Sequence, residues 1–284
     1  MLTVHPITSF DLPGLKPYQT MKWQFAHRQQ GIFVAEGEKV VQRLLESQFF
    51  VLSIMLPQHW LDQLRPILEA RPEPIQAYVG EKDLLETLTG FSMYQGVLAV
   101  AKIPQKVPLP TFLARTPSPR FLLAADGLSN AENMGVLVRN GAAFGVDAFL
   151  VGETCVSPYL RRAVRSSMGT IFKMPVFESE GLAQSLNLLR AQGVRVVAAH
   201  PHTDGRWLAQ ANFTGDCCVV LGSEGDGISA PVLAACDDAV AIPMSNDVDS
   251  LNVGSASAVF LYEAIRQRTT SLQFMQPPIR SVMQ

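Results

Sequence analysis

The hexapeptide GSEGDG, residues 222–227, follows the apolar run CCVVL and sets three glycines among small polar side chains. Glycines let backbone N–H groups approach an anion closely, so the stretch first reads as a phosphate cradle. Its spacing excludes the two common forms. A Walker loop ends in Gly-Lys-Ser/Thr, and a Rossmann turn carries glycines at its first, third and sixth positions. The loop therefore holds something else, and the segments around it decide what.

Those segments are FLLAA (121–125), AFLVG (148–152), VRVVAAH (194–200), CCVVLG (217–222) and DAVAIPM (238–244). Unalternating apolar runs separated by helical patterns predict a parallel sheet covered on both faces, hence an α/β fold. In open sheets of this class, ligands gather outside the carboxyl ends of the strands. Upstream, GIFVAEGEKVVQRLLES (31–47) passes from an apolar run, Ile32–Ala35, to a helix with Val40, Val41, Leu44 and Leu45 on one face. FVLSIML (50–56), IQAYVG and GVLAVAKI read as strands, WLDQLRPILEA as a helix interrupted at Pro66, and EKDLLETLTG as a helix ended by Gly90. A small α/β domain is thus expected over 1–104. Five prolines in PQKVPLPTFLARTPSP mark a linker over 105–119, ahead of a second domain over 120–270 and a tail over 271–284.

With 284 residues, 48% hydrophobic and 17% charged, the chain can bury a sizeable core. No apolar run reaches the roughly 20 residues of a membrane span, and the N-terminus lacks signal-peptide order, so no membrane partner and a cytoplasmic location are expected. Cys155, Cys217, Cys218 and Cys236 show neither C-x-x-C spacing nor a nearby histidine pair, which predicts reduced thiols and no metal. A formal net charge of −2 requires any nucleic-acid contact to be local.

Three loops carry the unusual residues. DGLSNAENMGVLVRNGAAFG (126–145) reads as a helix with a Ser129–Glu132 capping box and a stop at Gly145. Within it Arg139 lies a turn from Gly135, Ala142 and Ala143, small enough to leave a slot beside the guanidinium; the alternative is a surface arginine on an apolar stem. Glu224 sits in the glycine loop. Ser250 and Asn252 precede a helix rich in small residues, where either could serve only as an N-cap.

Taken in order, D-x-x-x-N-x-x-N-x-G-x-x-x-R-x-x-x-x-F-G, L-G-S-E-G-x-G-I and I-P-M-x-x-x-V-D-S-L-N-V resemble the three motifs of the SpoU (TrmH-like) family of RNA 2′-O-methyltransferases in the SPOUT class. The resemblance spans 121–268. RSSMGTIFKMPV (165–176) is similar to the family's stretch between its first two motifs, and GIFVAEGEKVV to the start of its L30e-like substrate domain. The usual proline of the first motif is replaced by Ala131-Glu132. The resemblance implies a C-terminal SPOUT domain with a deep trefoil knot, holding S-adenosylmethionine at Ala199, His200, Gly222, Ile242, Met244 and Leu251. It also implies catalytic roles for Asn133, Arg139, Glu224, Ser250 and Asn252, and a homodimer.

A guanidinium normally stays charged, so Arg139 suits stabilisation of a developing alkoxide and a grip on phosphate better than proton abstraction. Arg161, Arg162 and Arg165 in YLRRAVRSS, with Lys22 and Arg28 near Trp23 and Phe25, are the expected RNA contacts; inward packing of those aromatics is the alternative. The expected activity is ribose 2′-O-methylation of structured RNA, ribosomal ahead of transfer RNA. The competing readings are an inactive dimeric RNA-binding or assembly factor and a base-nitrogen methyltransferase.

Overall fold

A computed structural model of the chain describes residues 1–21, 23–89, 96–201, 203, 205–246 and 248–269. Lys22, Gly90 and the expected tail lie outside them. The chain forms two compact units, the first from Met1–Val107, Asn130–Arg139 and Val156–Met174, the second from Pro108–Ser129, Asn140–Cys155 and the chain from Pro175 onward. Residues 130–139 and 156–174, expected in the second domain, cluster with the first.

The first unit contains β1 (Leu2–Pro6), α1 (Lys16–Gln19), α2 (Gln24–Gln29), β2 (Ile32–Glu36), α3 (Glu38–Leu45), β3 (Val51–Leu56), α4 (Gln58–Glu69), β4 (Ile75–Val79), α5 (Lys82–Thr89) and β5 (Leu98–Lys102). Its mixed sheet runs β1-β4-β3-β5-β2. The expected face of α3, Val40, Val41, Leu44 and Leu45, is buried. Pro66 does not interrupt α4. Burial of Leu61, Leu64 and Leu68, at about 1.5–3 kcal/mol each, outweighs the roughly 3 kcal/mol of an internal proline.

β2 is an edge strand, yet every residue of it is buried. Residues 156–174 cover it. The Phe33 ring lies 5.7 Å from Tyr159 and 5.8 Å from Phe172, and Phe49 lies 5.3 Å from Phe172. The helix α8 (Arg161–Ser166) turns Arg161 and Arg165 onto the carboxylate of Glu36, itself 6% exposed.

The second unit contains α6 (Leu109–Arg115), β6 (Phe121–Ala125), the end of α7 (Ala131–Ala143), β7 (Ala148–Val151), β8 (Val176–Glu178), α9 (Leu182–Ala191), β9 (Arg195–Ala199), β10 (Cys217–Leu221), α10 (Ala230–Ala234), β11 (Asp238–Val240) and α11 (Val253–Arg268). All strand pairs are parallel, in the order β11-β9-β10-β6-β7-β8. The proline-rich segment is not a bare linker, since α6 buries Leu113 in the second unit's core. DAVAIPM is a strand only to Val240, where its partner β9 ends at Ala199, and Pro243 beyond has no N–H to resume a ladder. The order reverses between β6 and β10, whose ends stand in register, Ala125 beside Leu221. The first two motif loops therefore leave the sheet side by side at its topological switch point.

A chain beginning near Pro110 would lose Phe33, Phe49 and Glu36 while keeping Tyr159, Phe172 and Arg161. It is expected to melt roughly 10 °C below the full chain and to bind an apolar dye, by the burial two aromatics contribute. Equal melting temperatures in a thermal scan would contradict that expectation.

Candidate cofactor and catalytic site

A cavity of about 270 Å³ opens at the carboxyl ends of β9, β10 and β11. Ala199, His200, Gly222, Ile242, Met244 and Leu251 all line it, as do Glu224 and Ser250. Its wall also includes Ala256 and Phe260 of α11, which the motifs did not flag. Their apolar spacing along a helix reads as ordinary core, so only the fold reveals them.

The glycine loop is closed by its own backbone. Ser223 N–H donates to Gly227 O at 3.0 Å, and Asp226 N–H to Ser223 Oγ at 3.1 Å. Gly227 holds φ +70°, and a Cβ on Gly222 would overlap the backbone of Gly227 and Ile228. The loop's far end is fixed by Asp126, 4% exposed, whose Oδ2 accepts Ser229 N–H at 2.8 Å. Beside it, residues 242–246 and 248–252 belong to no helix or strand, which leaves their backbone groups available to water or a ligand.

Asn252 is the N-cap of α11 and also reaches the glycine loop. Its Oδ1 accepts Gly254 N–H at 2.9 Å, capping α11, and its Nδ2 donates to Glu224 Oε1. The cap thus fixes the acid of one motif against the helix of another. Ser250 is exposed in the preceding loop.

Asn133 and Arg139 lie on α7, in the part that clusters with the first unit. Asn130, not Ser129, caps this helix, its Oδ1 accepting the N–H groups of Glu132 and Asn133 at 2.7 and 3.2 Å. Asparagine reaches the N2 and N3 donors here with Ala131, in place of proline, as the first helical residue. Gly145 stops the helix at φ +72°, as expected. The slot expected beside Arg139 is not open at Gly135, where a Cβ would strike Ser166 Oγ and Ala163 O of α8. Arg139 itself is exposed. The next residue, Asn140, donates from Nδ2 to Gly254 O and Ser257 Oγ, both at 2.8 Å, docking the end of α7 on α11.

The expected RNA contacts separate. Arg162 and Arg28 are exposed. Arg161, with a side chain 14% exposed, is spent on Glu36, whereas Arg165 pairs with Glu36 at 3.0 Å and keeps 58% of its side chain exposed. Trp23 does not pack inward, being 67% exposed. Burial pushes neighbouring His27 below the usual histidine range, so it adds no charge to that surface at neutral pH. Burial also raises all four thiols, Cys236 to about 12, which leaves them unreactive. Among the described residues no group of His, Cys, Asp and Glu converges as metal ligands, and no helix is long and apolar enough to cross a membrane.

A sequence profile of the SpoU rRNA Methylase family matches residues 120–262. The chain belongs to that family. It is 34% identical over 240 residues to a protein of Mycobacterium bovis named as an uncharacterized tRNA/rRNA methyltransferase, covering 84% of this chain and 82% of that one. It is 31% identical to the 23S rRNA (guanosine-2′-O-)-methyltransferase RlmB of Vibrio vulnificus, covering 80% of this chain and 92% of the relative. A solved AdoMet-bound rRNA methyltransferase of Sinorhizobium meliloti shares the fold with a TM-score of 0.80 at 22% identity, covering 94% of this chain and 99% of that one. The SpoU profile begins at Arg120, just before β6, and takes in all three motif loops.

Two substitutions probe how this SpoU chain builds its site. Gly222→Ala should destabilise the protein by about 1–3 kcal/mol, the usual range for overpacking, because backbone rather than a movable side chain meets the new methyl. Asn252→Asp keeps the capping oxygen but sets a carboxylate against Glu224. Its deficit should shrink as salt screens the two like charges. Urea melts at low salt and at about 1 M salt check this, and an equal deficit at both would contradict the pairing.

Proposed function

We propose that the chain transfers the methyl group of S-adenosylmethionine to a ribose 2′-hydroxyl of structured RNA, with ribosomal RNA ahead of transfer RNA. The observation that carries the reading is the meeting of Ala199, His200, Gly222, Ile242, Met244 and Leu251 around one cavity. The named activity of the Vibrio vulnificus relative supports a ribosomal substrate. A cytoplasmic location and a trefoil knot, with the chain after β10 threaded through an earlier loop, go with this reading.

The cavity's chemistry suits that cofactor. Ile242, Met244 and Leu251 give an apolar slot for adenine, and the backbone of the two loops gives donors and acceptors for a ribose and an amino-acid end. Glu224, held by Asn252, offers negative charge to a cationic ligand. When bound, S-adenosylmethionine supplies an electrophilic methyl on a positively charged sulfur. Arg139 stabilises the hydroxyl oxygen as it gains charge, the hydroxyl proton passing to water, and grips an adjoining phosphate, while Ser250 and Asn252 orient the arginine or the ribose. Residues 1–104, as an L30e-like domain, present Arg28 and Trp23 to RNA, and α8 adds Arg162 and the exposed part of Arg165.

Incubation with 23S ribosomal RNA and labelled S-adenosylmethionine, followed by nucleoside analysis, tests the reaction. Label in a linkage that resists alkaline cleavage is expected. Label on a base would favour the nitrogen-methyltransferase alternative, and failure to bind the cofactor in calorimetry would favour an inactive assembly factor. Arg139→Ala should leave cofactor affinity within a few-fold and lower turnover by about 10² to 10³, the usual loss when a preorganised group at an oxyanion is removed. Arg139→Lys keeps charge without the planar fork and should recover little. Near wild-type turnover in Arg139→Ala would return Arg139 to the surface reading.

The homodimer is proposed through the exposed side of α11, where Val259 and Tyr262 are 39% and 54% exposed, with Leu251 at 39% nearby. Light scattering at micromolar concentration should give about twice the 31.1 kDa of one chain. A single-chain mass would contradict the dimer.

A further inference from the structure

We infer that Glu36, on the N-terminal sheet, is a positioning residue for the methyl-transfer reaction, acting on Arg139 through α8. The inference rests on the proposed role of Arg139 and extends it to a residue outside all three motifs. Glu36 is the last residue of β2, is 6% exposed, and accepts from Arg161 and Arg165, which lie a turn apart on α8. A buried carboxylate facing two guanidiniums holds both by charge-assisted hydrogen bonds that leave few alternative arrangements. The aromatic cluster of Phe33, Phe49, Tyr159 and Phe172 packs residues 156–174 against the same strand.

The opposite side of α8 meets α7 without slack. Ser166 Oγ donates to Glu132 O at 2.9 Å, and Gly135 has no room for a Cβ between Ser166 and Ala163 O. Gly135 lies one turn before Arg139 on the same helix, and Asn133 lies between Glu132 and Gly135. The path from Glu36 to Arg139 is therefore a carboxylate, two arginines on a short helix, and a helix pair in backbone contact. A shift of α8 moves α7 with it, because no flexible side chain separates them. Small displacements of a group that must meet a reacting oxygen reduce rate without removing the group.

The test is a double-mutant cycle on kcat at saturating RNA and S-adenosylmethionine, with thermal melts and cofactor calorimetry on each protein. Glu36→Gln keeps the side chain's shape and removes its charge. It is expected to lower kcat about tenfold, within the coupling range of contiguous networks, with the KM for S-adenosylmethionine unchanged. In an Arg139→Ala background the same change should lower kcat by less than about twofold, because the group it positions is gone. Glu36→Asp should recover part of the loss. If Glu36→Gln does not fold, Arg165→Gln, at a mostly exposed side chain, takes its place in the cycle with the same expected pattern.

Equal losses in both backgrounds would overturn the inference in favour of a purely structural role, as would unchanged kcat in Glu36→Gln. A loss confined to the KM for RNA would overturn it in favour of RNA contacts by the arginines. Unchanged turnover in Arg139→Ala alone would instead strike the catalytic reading on which the inference rests.

Discussion

At Gly222 two stretches of backbone meet with no side chain between them, and the candidate site depends on that contact. A methyl group there would occupy the space of Gly227 and Ile228. Because the loop folds onto itself so closely, Ser223 and Gly227 can bond across it, and Glu224 is carried to where Asn252 reaches it. The cavity wall that results includes the main chain of this loop. Main chain offers donors and acceptors at fixed positions without ordering any rotamers, which suits recognition of a ligand with many polar edges.

The second support is electrostatic and lies elsewhere. Glu36 and its two arginines bury a charged group that is stable only while paired, since an unpaired buried carboxylate is strongly penalised. That requirement ties residues 156–174 to an edge strand whose exposed backbone would otherwise invite pairing with another chain. One contact thus covers a vulnerable edge and holds the helix packed against α7. With Glu36 in its proposed positioning role, the N-terminal region contributes to the reaction's geometry, beyond the recruitment of RNA proposed for it.

What is legible in the sequence is what short-range pattern controls. The faces of α3, the stop at Gly145 and the unalternating strands of the second sheet follow from periodicity and from one residue's φ. The cavity residues come from motif order, which encodes loops that meet only after folding. β1 and β8 escape a sequence reading because both are short edge strands without a fully buried residue, so neither carries an apolar run. Pro66 misleads because its local propensity says nothing of the three buried leucines that oppose it. The pairing of Glu36 with Arg161 and Arg165 spans 125 and 129 residues, and no local signal marks it; in the sequence the arginines look like free RNA contacts.

The most direct test of the central claim is a crystal structure of the protein with S-adenosylmethionine, paired with calorimetry on wild type and Gly222→Ala. Density is expected in the cavity lined by Ala199, Gly222, Glu224, Ile242, Met244 and Leu251, with contacts made mainly by backbone and affinity lost in the variant. Cofactor bound at another place, or undiminished affinity in Gly222→Ala, would contradict the claim that a side-chain-free backbone contact builds the site.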